Sequence, residues 1–441
     1  MARRAALPVA IFLVCACVYV LFLGEAPLSP SPNNHYVHLA RSFLNGQLSV
    51  VGNRPPGNND WALYNGTWYV TFPPVPALVL LPAVAIWDLA TPDRLIWAIL
   101  AGVAPALLFV LLERLSRRGD SPRGRRENLV LTGLFAFGTV FFYTSVQGSV
   151  WFSAHVVASV LLLLFVLASL DAAHPLLAGL CLGLAWGCRP TTLLAGSFFV
   201  VELLRAHQRA GHAPTEIGSN AADSDVPHPL TRAMRWVLAT DFKAALPRLV
   251  LFALPMAALF GLYLWFNAAR FGDPFVFGHE YLQIRWKGRI DRWGLFHYHY
   301  FSKNLAVFLA SLPWLSDTPP YVTISRHGLA LWFTTPALLW LLWPKRVDAR
   351  MVGLILAVAA VGLANLCYQN SGWVQFGYRF ALDYMAFMFV LLALGARRFR
   401  VGFYACLVFA VAVNAFGAAT FDRSQRFYDD DRTQNRVFQP D

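Results

Sequence analysis

Apolar runs of about twenty residues, each closed by a short polar or arginine-bearing stretch, recur from one terminus of the chain to the other. A run of that length lets an α-helix cross the roughly 30 Å hydrocarbon layer of a bilayer. The runs predict spans at 7–24, 94–113, 128–145, 154–171, 175–189, 190–204, 248–267, 328–344, 350–368, 380–396 and 401–420. The period-two alternation of barrel strands is absent, which argues against an outer-membrane barrel. The fold class is therefore an all-α polytopic membrane protein with about eleven transmembrane helices.

One further apolar run, Phe72 to Ala90, reads either as a span or as a helix lying at the membrane surface. Charge separates the two readings. If it does not cross, the loops Arg114–Arg126 (with six arginines), Arg205–Arg248, Lys345–Arg350 and Arg397–Arg400 all share the side of the N-terminus. If it crosses, all four move outside, against the positive-inside bias. The run is thus expected to be a juxtamembrane or re-entrant helix, and its Phe72-Pro73-Pro74 start suits the first turn of a helix. The first extracytoplasmic loop then covers 25–93. The turn 146–153, the turn near Arg189, the loop 268–327, the turn 369–379 and the tail share its face.

The predicted organisation is an N-terminal transmembrane module at 1–210, a cytoplasmic linker at 211–247, a C-terminal transmembrane module at 248–420 and an extracytoplasmic tail at 421–441. The stretch Gly211–Pro229, rich in Ala, Ser, Asp, Pro and His, has the composition of a disordered linker. Arg3 and Arg4 before an apolar core resemble a signal peptide. No small-x-small cleavage site follows, so the segment is read as an uncleaved first span with a cytoplasmic N-terminus.

Composition agrees. The chain is 57% hydrophobic and 14% charged, against roughly 25% charged residues in a soluble domain. The net charge of +12 sits largely in short loops beside spans, where it sets orientation, so no nucleic-acid partner is implied. Six cysteines without a CxxC pair indicate neither a disulfide framework nor a zinc site. Glu113, Asp171 and Glu202 fall at span ends, and Asp383 lies just inside one. Such scarcity of mid-span charge argues against an ion-coupled carrier.

Polar residues with chemical potential gather on the outer face. Loop 25–74 holds Asn33, Asn34, His35, His38, Arg41, Asp60, Trp61 and Tyr64. The turn 146–153 holds Gln147 and Trp151, with His155 just beyond. Arg189 precedes Pro190. Loop 268–327 offers Arg270, His279, Glu280, Arg285, Lys287 and Asn304 among others, and 369–379 offers Gln369, Asn370, Trp373, Gln375 and Arg379. This mixture suits a sugar on a lipid phosphate: aromatic faces stack on sugar rings, and arginines clamp phosphate. Trp61, Trp68, Trp151 and Trp373 are placed for stacking. Such a transfer needs one carboxylate or imidazole as base and cations at the leaving oxygens.

The stretches NNHYVHLARSFLNGQL, WYVTFPPVPALVLLP, LLAGLCLGLAWGCRPTTLL, FNAARFGDPFVFGHEY and VQFGYRFALDY together resemble, in order and spacing, the GT-C fold polyprenyl-phosphate-sugar glycosyltransferases. That group includes family 39, the protein O-mannosyltransferases, and the lipid A aminoarabinose transferases. The resemblance covers roughly residues 7 to 395. It implies a GT-C-like fold, a polyprenyl-phosphate sugar donor and a lipid, glycan or protein acceptor. From residue type and shared side, Arg379 and Arg189 are expected to hold the phosphate, with Gln147, Trp151, His155, Trp61 and Gln375 as further substrate contacts. One departure matters. The acidic pair that opens the family's first loop is Asn33, Asn34 and His35 here, and the lysine before Pro-Pro is Phe72. His35 or Asp60 then takes the base role, with Asn34 alongside, or the chain is an inactive relative.

No cofactor is expected. His35 and His38 share a helix face at a spacing that can hold a metal, but no third ligand is evident, so a divalent ion is left open. The leading expectation is an extracytoplasmic-face glycosyltransferase of a bacterial inner membrane. Its rivals are a lipid or polysaccharide transporter and a non-catalytic relative in envelope glycan assembly.

Overall fold

The computed structural model describes residues 2–24, 27–52, 55, 60–209, 229–284 and 286–429. Arg285, residues 211–228 of the predicted linker and the tail beyond 429 lie outside the described residues. The rest of the predicted linker is not plain connection but holds helix Pro229–Leu238 and the first turns of Phe242–Phe271. Among the described residues, five helices are long and apolar enough to cross a membrane: Asp93–Arg117, Val150–Ala172, Phe242–Phe271, Ala349–Leu366 and Val401–Thr420. Shorter apolar helices include Val75–Ala90 and Pro175–Trp186.

Several predicted spans are not single helices; 190–204, for one, opens as a 3-10 segment Pro190–Ala195 before helix Gly196–Ala206. The run 128–145 is the helix Arg125–Phe137, a break at Gly138, and a short helix Phe141–Ser145. The run 328–344 is Leu331–Thr334 followed by a 3-10 turn from Pro336 to Leu342. Pro336 has no N–H to continue the first of these two pieces. The chain is also not purely helical. Trp61–Tyr64 pairs antiparallel with Thr67–Val70, and Asn65 and Gly66, both at positive φ, form the tight turn that this pair of residue types favours. A second small sheet joins Trp314–Leu315, Val322–Ser325 and Tyr428–Asp429.

At the centre stands Leu382–Leu394, in which every residue is buried, as expected of a helix that is apolar on all sides. Val150–Ser169 packs beside it. Helix Pro175–Trp186 packs on Phe242–Phe271 through a glycine stripe. A Cβ on Gly179 would lie 2.0 Å from the Phe252 carbonyl oxygen, so only glycine allows this approach.

The helices run between two groups of loops. One group is rich in arginine. There Arg350 meets Glu202 at 3.0 Å, Asp171 at 3.0 Å and Asp120 at 2.6 Å. Arg118 and Arg205 also reach Asp171, and the Arg123 guanidinium donates to the Arg397 carbonyl at 2.6 Å. All four basic loops singled out above are represented in this group. The other group gathers residues 27–52 and 60–92, the turn 146–149, Arg189, residues 272–284 and 286–330, and residues 367–379. Val150–Ser169 carries Trp151 at one group and leads to Asp171 at the other; its twenty residues span about 30 Å at 1.5 Å each.

Val75–Trp87 stays within the second group. The Val75 N–H donates to the Gly187 carbonyl at 3.1 Å, and just past the helix Asp88 pairs with Arg41 of the same loop at 2.7 Å. Its thirteen residues extend about 20 Å, less than a bilayer core.

Candidate functional site

A cavity of about 650 Å³ opens among the second group of loops. Three features of local sequence place its polar groups. The hairpin at 61–70 carries Asp60 at its base, with φ of 73°; the Thr71 hydroxyl donates to the Asp60 carbonyl at 3.1 Å and ties the two ends of the hairpin together. Helix 150–169 begins one residue before Trp151, so the indole stands at the cavity wall. Helix 175–186 ends at Gly187, and Arg189 follows in extended conformation before Pro190.

The Trp151 indole N–H donates to Asp60 Oδ2 at 2.7 Å. Burial raises the Asp60 pKa above the ordinary carboxylate value, and the Trp151 bond and the Arg379 charge only partly offset this. Two other cavity carboxylates, Glu280 and Asp422, are exposed. Asp60 is therefore the carboxylate held inside the cavity by a directed hydrogen bond.

Arg189 is fixed by Asp383. Its Nε donates to Oδ1 at 3.0 Å and its Nη2 to Oδ2 at 3.0 Å. The Thr191 hydroxyl and the Asn365 amide each add a bond to Oδ2 at 3.1 Å, and His155 Nδ1 lies 3.0 Å from Oδ1. Asp383 is wholly buried, and this many donors is what makes a buried carboxylate tolerable. The Arg189 guanidinium lies over the Phe380 ring at 4.8 Å.

Arg379 is held by the turn before it. Its Nη1 donates to the carbonyls of Gly372 and Val374, its backbone N–H donates to Gln375 Oε1, and its Nε is buried without a hydrogen-bond partner. The guanidinium is 5.1 Å from the centre of the Phe152 ring. Arg270 also lines the cavity, but its donors are used on Phe266, Val70 and Asn267. His279 lines it too, with its pKa lowered to about 4 by burial and by the charges of Arg270 and Arg189. The remaining wall is largely aromatic and aliphatic, from Phe72 and Pro74 across to Trp186 and Tyr263.

Of the ten residues singled out from the sequence, Asp60, Trp151, Arg189 and Arg379 line this cavity. The other six do not. His35 is wholly buried, its ring stacked on Trp61 at 4.1 Å and edge-on to Phe72 at 5.4 Å, so it packs behind the wall. Trp61 is buried by the same stack and by its place in the hairpin. Asn34 caps the backbone of helix His35–Leu44, accepting from the Val37 N–H at 2.9 Å; its neighbour Asn33 faces the cavity instead. Gln147 is in the turn leading to Trp151, buried and not part of the cavity lining. His155 lies a turn deeper than Trp151, against Asp383. Gln375 uses its amide on the carbonyls of His327 at 2.7 Å and Ser371 at 2.8 Å and shapes the turn that presents Arg379.

His38 meets the edge of Trp61, and burial with the nearby Arg41 lowers its pKa to about 4. Among the described residues, no three of His, Cys, Asp and Glu converge as a metal site would require.

Asp383 escaped the sequence shortlist. Its signal was present: a lone acid in an apolar run, four residues after Arg379, is costly unless it has a use. The contribution of the C-terminal stretch, where Phe421, Asp422, Gln425 and Tyr428 form part of the wall, carried no local signal.

No protein-family profile and no curated protein matches the chain. Solved structures similar to it include the archaeal oligosaccharyltransferase AglB from Archaeoglobus fulgidus in complex with an inhibitory peptide and a dolichol-phosphate. That structure has a TM-score of 0.49 and 14% identity and covers 96% of this chain and 56% of its own. The Archaeoglobus fulgidus oligosaccharyltransferase tethered to an acceptor peptide gives a TM-score of 0.48 at 14% identity, covering 96% and 55%. The apo form gives 0.43 at 14%, covering 96% and 56%. This chain spans little more than half the length of these proteins.

Proposed function

We propose that the chain is an integral-membrane glycosyltransferase of GT-C type, which moves a sugar from a polyprenyl-phosphate donor to an acceptor hydroxyl. The observation that carries this reading is the meeting of Asp60, Arg189, Arg379 and Trp151 on one cavity. A base, two phosphate-clamping guanidiniums and a stacking face are the parts such a transfer needs.

The reaction follows from their placement. Asp60, ionised, takes the proton of the acceptor hydroxyl. The acceptor oxygen bonds to the anomeric carbon as the bond from that carbon to the phosphate oxygen breaks. The departing polyprenyl phosphate is met by Arg189 and Arg379. Arg189 has a surplus of donors beyond the two it gives Asp383, and the Asp383 carboxylate keeps its guanidinium plane fixed. The aromatic and aliphatic part of the wall takes the first isoprene units of the donor. His35, the sequence's alternative base, packs against Trp61 and Phe72 off the cavity lining, which supports Asp60 in that role.

Sidedness follows from charge. The arginine-rich loop group faces the cytoplasm and the cavity faces the exterior, with Val75–Trp87 resting at the surface and eleven segments crossing. A bacterial inner membrane is the setting that fits, and the acceptor is a lipid, glycan or protein hydroxyl.

The test supplies purified protein with a radiolabelled polyprenyl-phosphate sugar and a hydroxyl acceptor. Transfer by the wild type, a loss on the order of 10²–10⁴ for Asp60→Asn and a loss of about 10²–10³ for Arg379→Gln are expected. Transbilayer movement of the lipid-linked sugar without any glycosidic product would instead make the chain a transporter.

A further inference from the structure

At the arginine-rich end, far from the cavity above, a second cleft of about 230 Å³ lies between helices 349–366 and 382–394 and the 3-10 segment 336–342. Its floor and sides are aliphatic, from Met351, Ile355 and Val358 to Met388 and Leu391. Ile355 and Ala359 are exposed, so the cleft opens sideways, towards the bilayer. Its polar lining comes from Arg123 and Arg397.

Arg123 is 5% exposed. Its Nη atoms serve Glu127, the Leu392 carbonyl and the Arg397 carbonyl, and its carbon lies 3.8 Å over the Phe399 ring. Its Nε is buried and has no hydrogen-bond partner. Arg397 is exposed and makes one long bond, to the Trp343 carbonyl at 3.4 Å. Arg398 and Arg400 follow within three residues, and Arg346 donates to the Leu394 carbonyl at 3.5 Å from across the mouth. Among the described residues, none of Arg346, Arg397, Arg398 and Arg400 is ion-paired. The nearby acids are otherwise engaged: Glu127 with Arg123, Asp348 on the Met351 N–H and Asp120 with Arg118 and Arg350.

We propose that this cleft binds one anionic phospholipid, an acyl chain lying between the helices and the phosphate resting on Arg397 and its neighbouring guanidiniums. An apolar slot open to lipid takes a hydrocarbon chain. A cluster of unpaired cations at its mouth selects a negative headgroup, as basic pockets between transmembrane helices do. A transmembrane helix of another protein is the rival occupant, but its apolar surface would leave these cations unmatched. The proposal does not depend on the catalytic reading, since the two spaces lie at opposite ends of the helices.

The experiment uses the full chain, delipidated in neutral detergent, and native mass spectrometry with dioleoyl phosphatidylglycerol or dioleoyl phosphatidylethanolamine. One phosphatidylglycerol is expected to bind saturably and roughly tenfold more tightly than phosphatidylethanolamine. Arg397→Gln with Arg398→Gln should reduce it to the phosphatidylethanolamine level. Ala359→Trp, which fills the cleft and touches no arginine, should remove the saturable site while the thermal transition in detergent alone stays in place. Equal binding of the two lipids, or undiminished phosphatidylglycerol binding by Ala359→Trp, would overturn the proposal.

Discussion

Asp60 has to do two opposed things: remain in a desolvated pocket and carry a negative charge. Its raised pKa means that the ionised form is penalised by folding, so Asp60→Asn should hold or raise the thermal transition at neutral pH while transfer is lost. The acid limb of the pH–rate profile should lie above the roughly 3.9 of a free aspartate, because activity needs the ionised form and falls as pH drops through the raised value. Trp151→Phe deletes the N–H that favours the carboxylate and should move that limb higher still. A limb that moves down would remove Asp60 as base. Asp383 acts through Arg189. Asp383→Asn leaves the part-buried Arg189 guanidinium without its wholly buried counter-ion and should destabilise the protein by about 3 kcal/mol. The double variant Asp383→Leu with Arg189→Leu should be the milder one in thermal transition yet inactive. Residue type and predicted side put Asp60, Trp151, Arg189 and Arg379 among the candidates, and these four line the cavity. The Arg189–Asp383 pair was not legible, because its members are 194 positions apart.

Helix Val75–Trp87 decides which loops share a compartment. With one end on Gly187 and the other followed by the Asp88–Arg41 pair, both its termini belong to the cavity face. Single cysteines at Asn45 and Ala90, each exposed, should therefore react with an impermeant thiol reagent from one side of sealed vesicles, and a cysteine at exposed Arg117 from the other. Labelling of Asn45 with Arg117, against Ala90, would make the helix a crossing segment and divide the proposed site between compartments. The arginine pattern is what led to the expectation of a surface or re-entrant helix here, and the contacts at both its ends agree with that expectation. The broken runs at 128–145 and 328–344 were not readable, because a lipid-facing apolar string looks alike whether its backbone is straight or interrupted.

Across the molecule, the two ends do separate work. The ion-pair network of Asp120, Asp171, Glu202, Arg118, Arg205 and Arg350 clamps four helix ends about 30 Å from the cavity. Glu202 is wholly buried and accepts from both Arg205 and Arg350. Glu202→Ala should lower stability by about 3–5 kcal/mol, while transfer measured well below the transition keeps the wild-type KM. A raised KM with an unchanged transition would show that the clamp reaches the cavity instead.

Apolar run length and the location of arginines are properties of short stretches, and the bilayer reads them locally. Membrane class was accordingly plain from the chain, and the same local signals carry the expectation of which loops share a side and of a proline-led helix that does not cross. Which of the many polar residues on that side share a cavity depends on contacts between segments far apart in sequence. Asp60 rather than His35 faces the space because a hairpin turns the one in and Trp61 covers the other, and Asp383 matters because a distant arginine folds onto it.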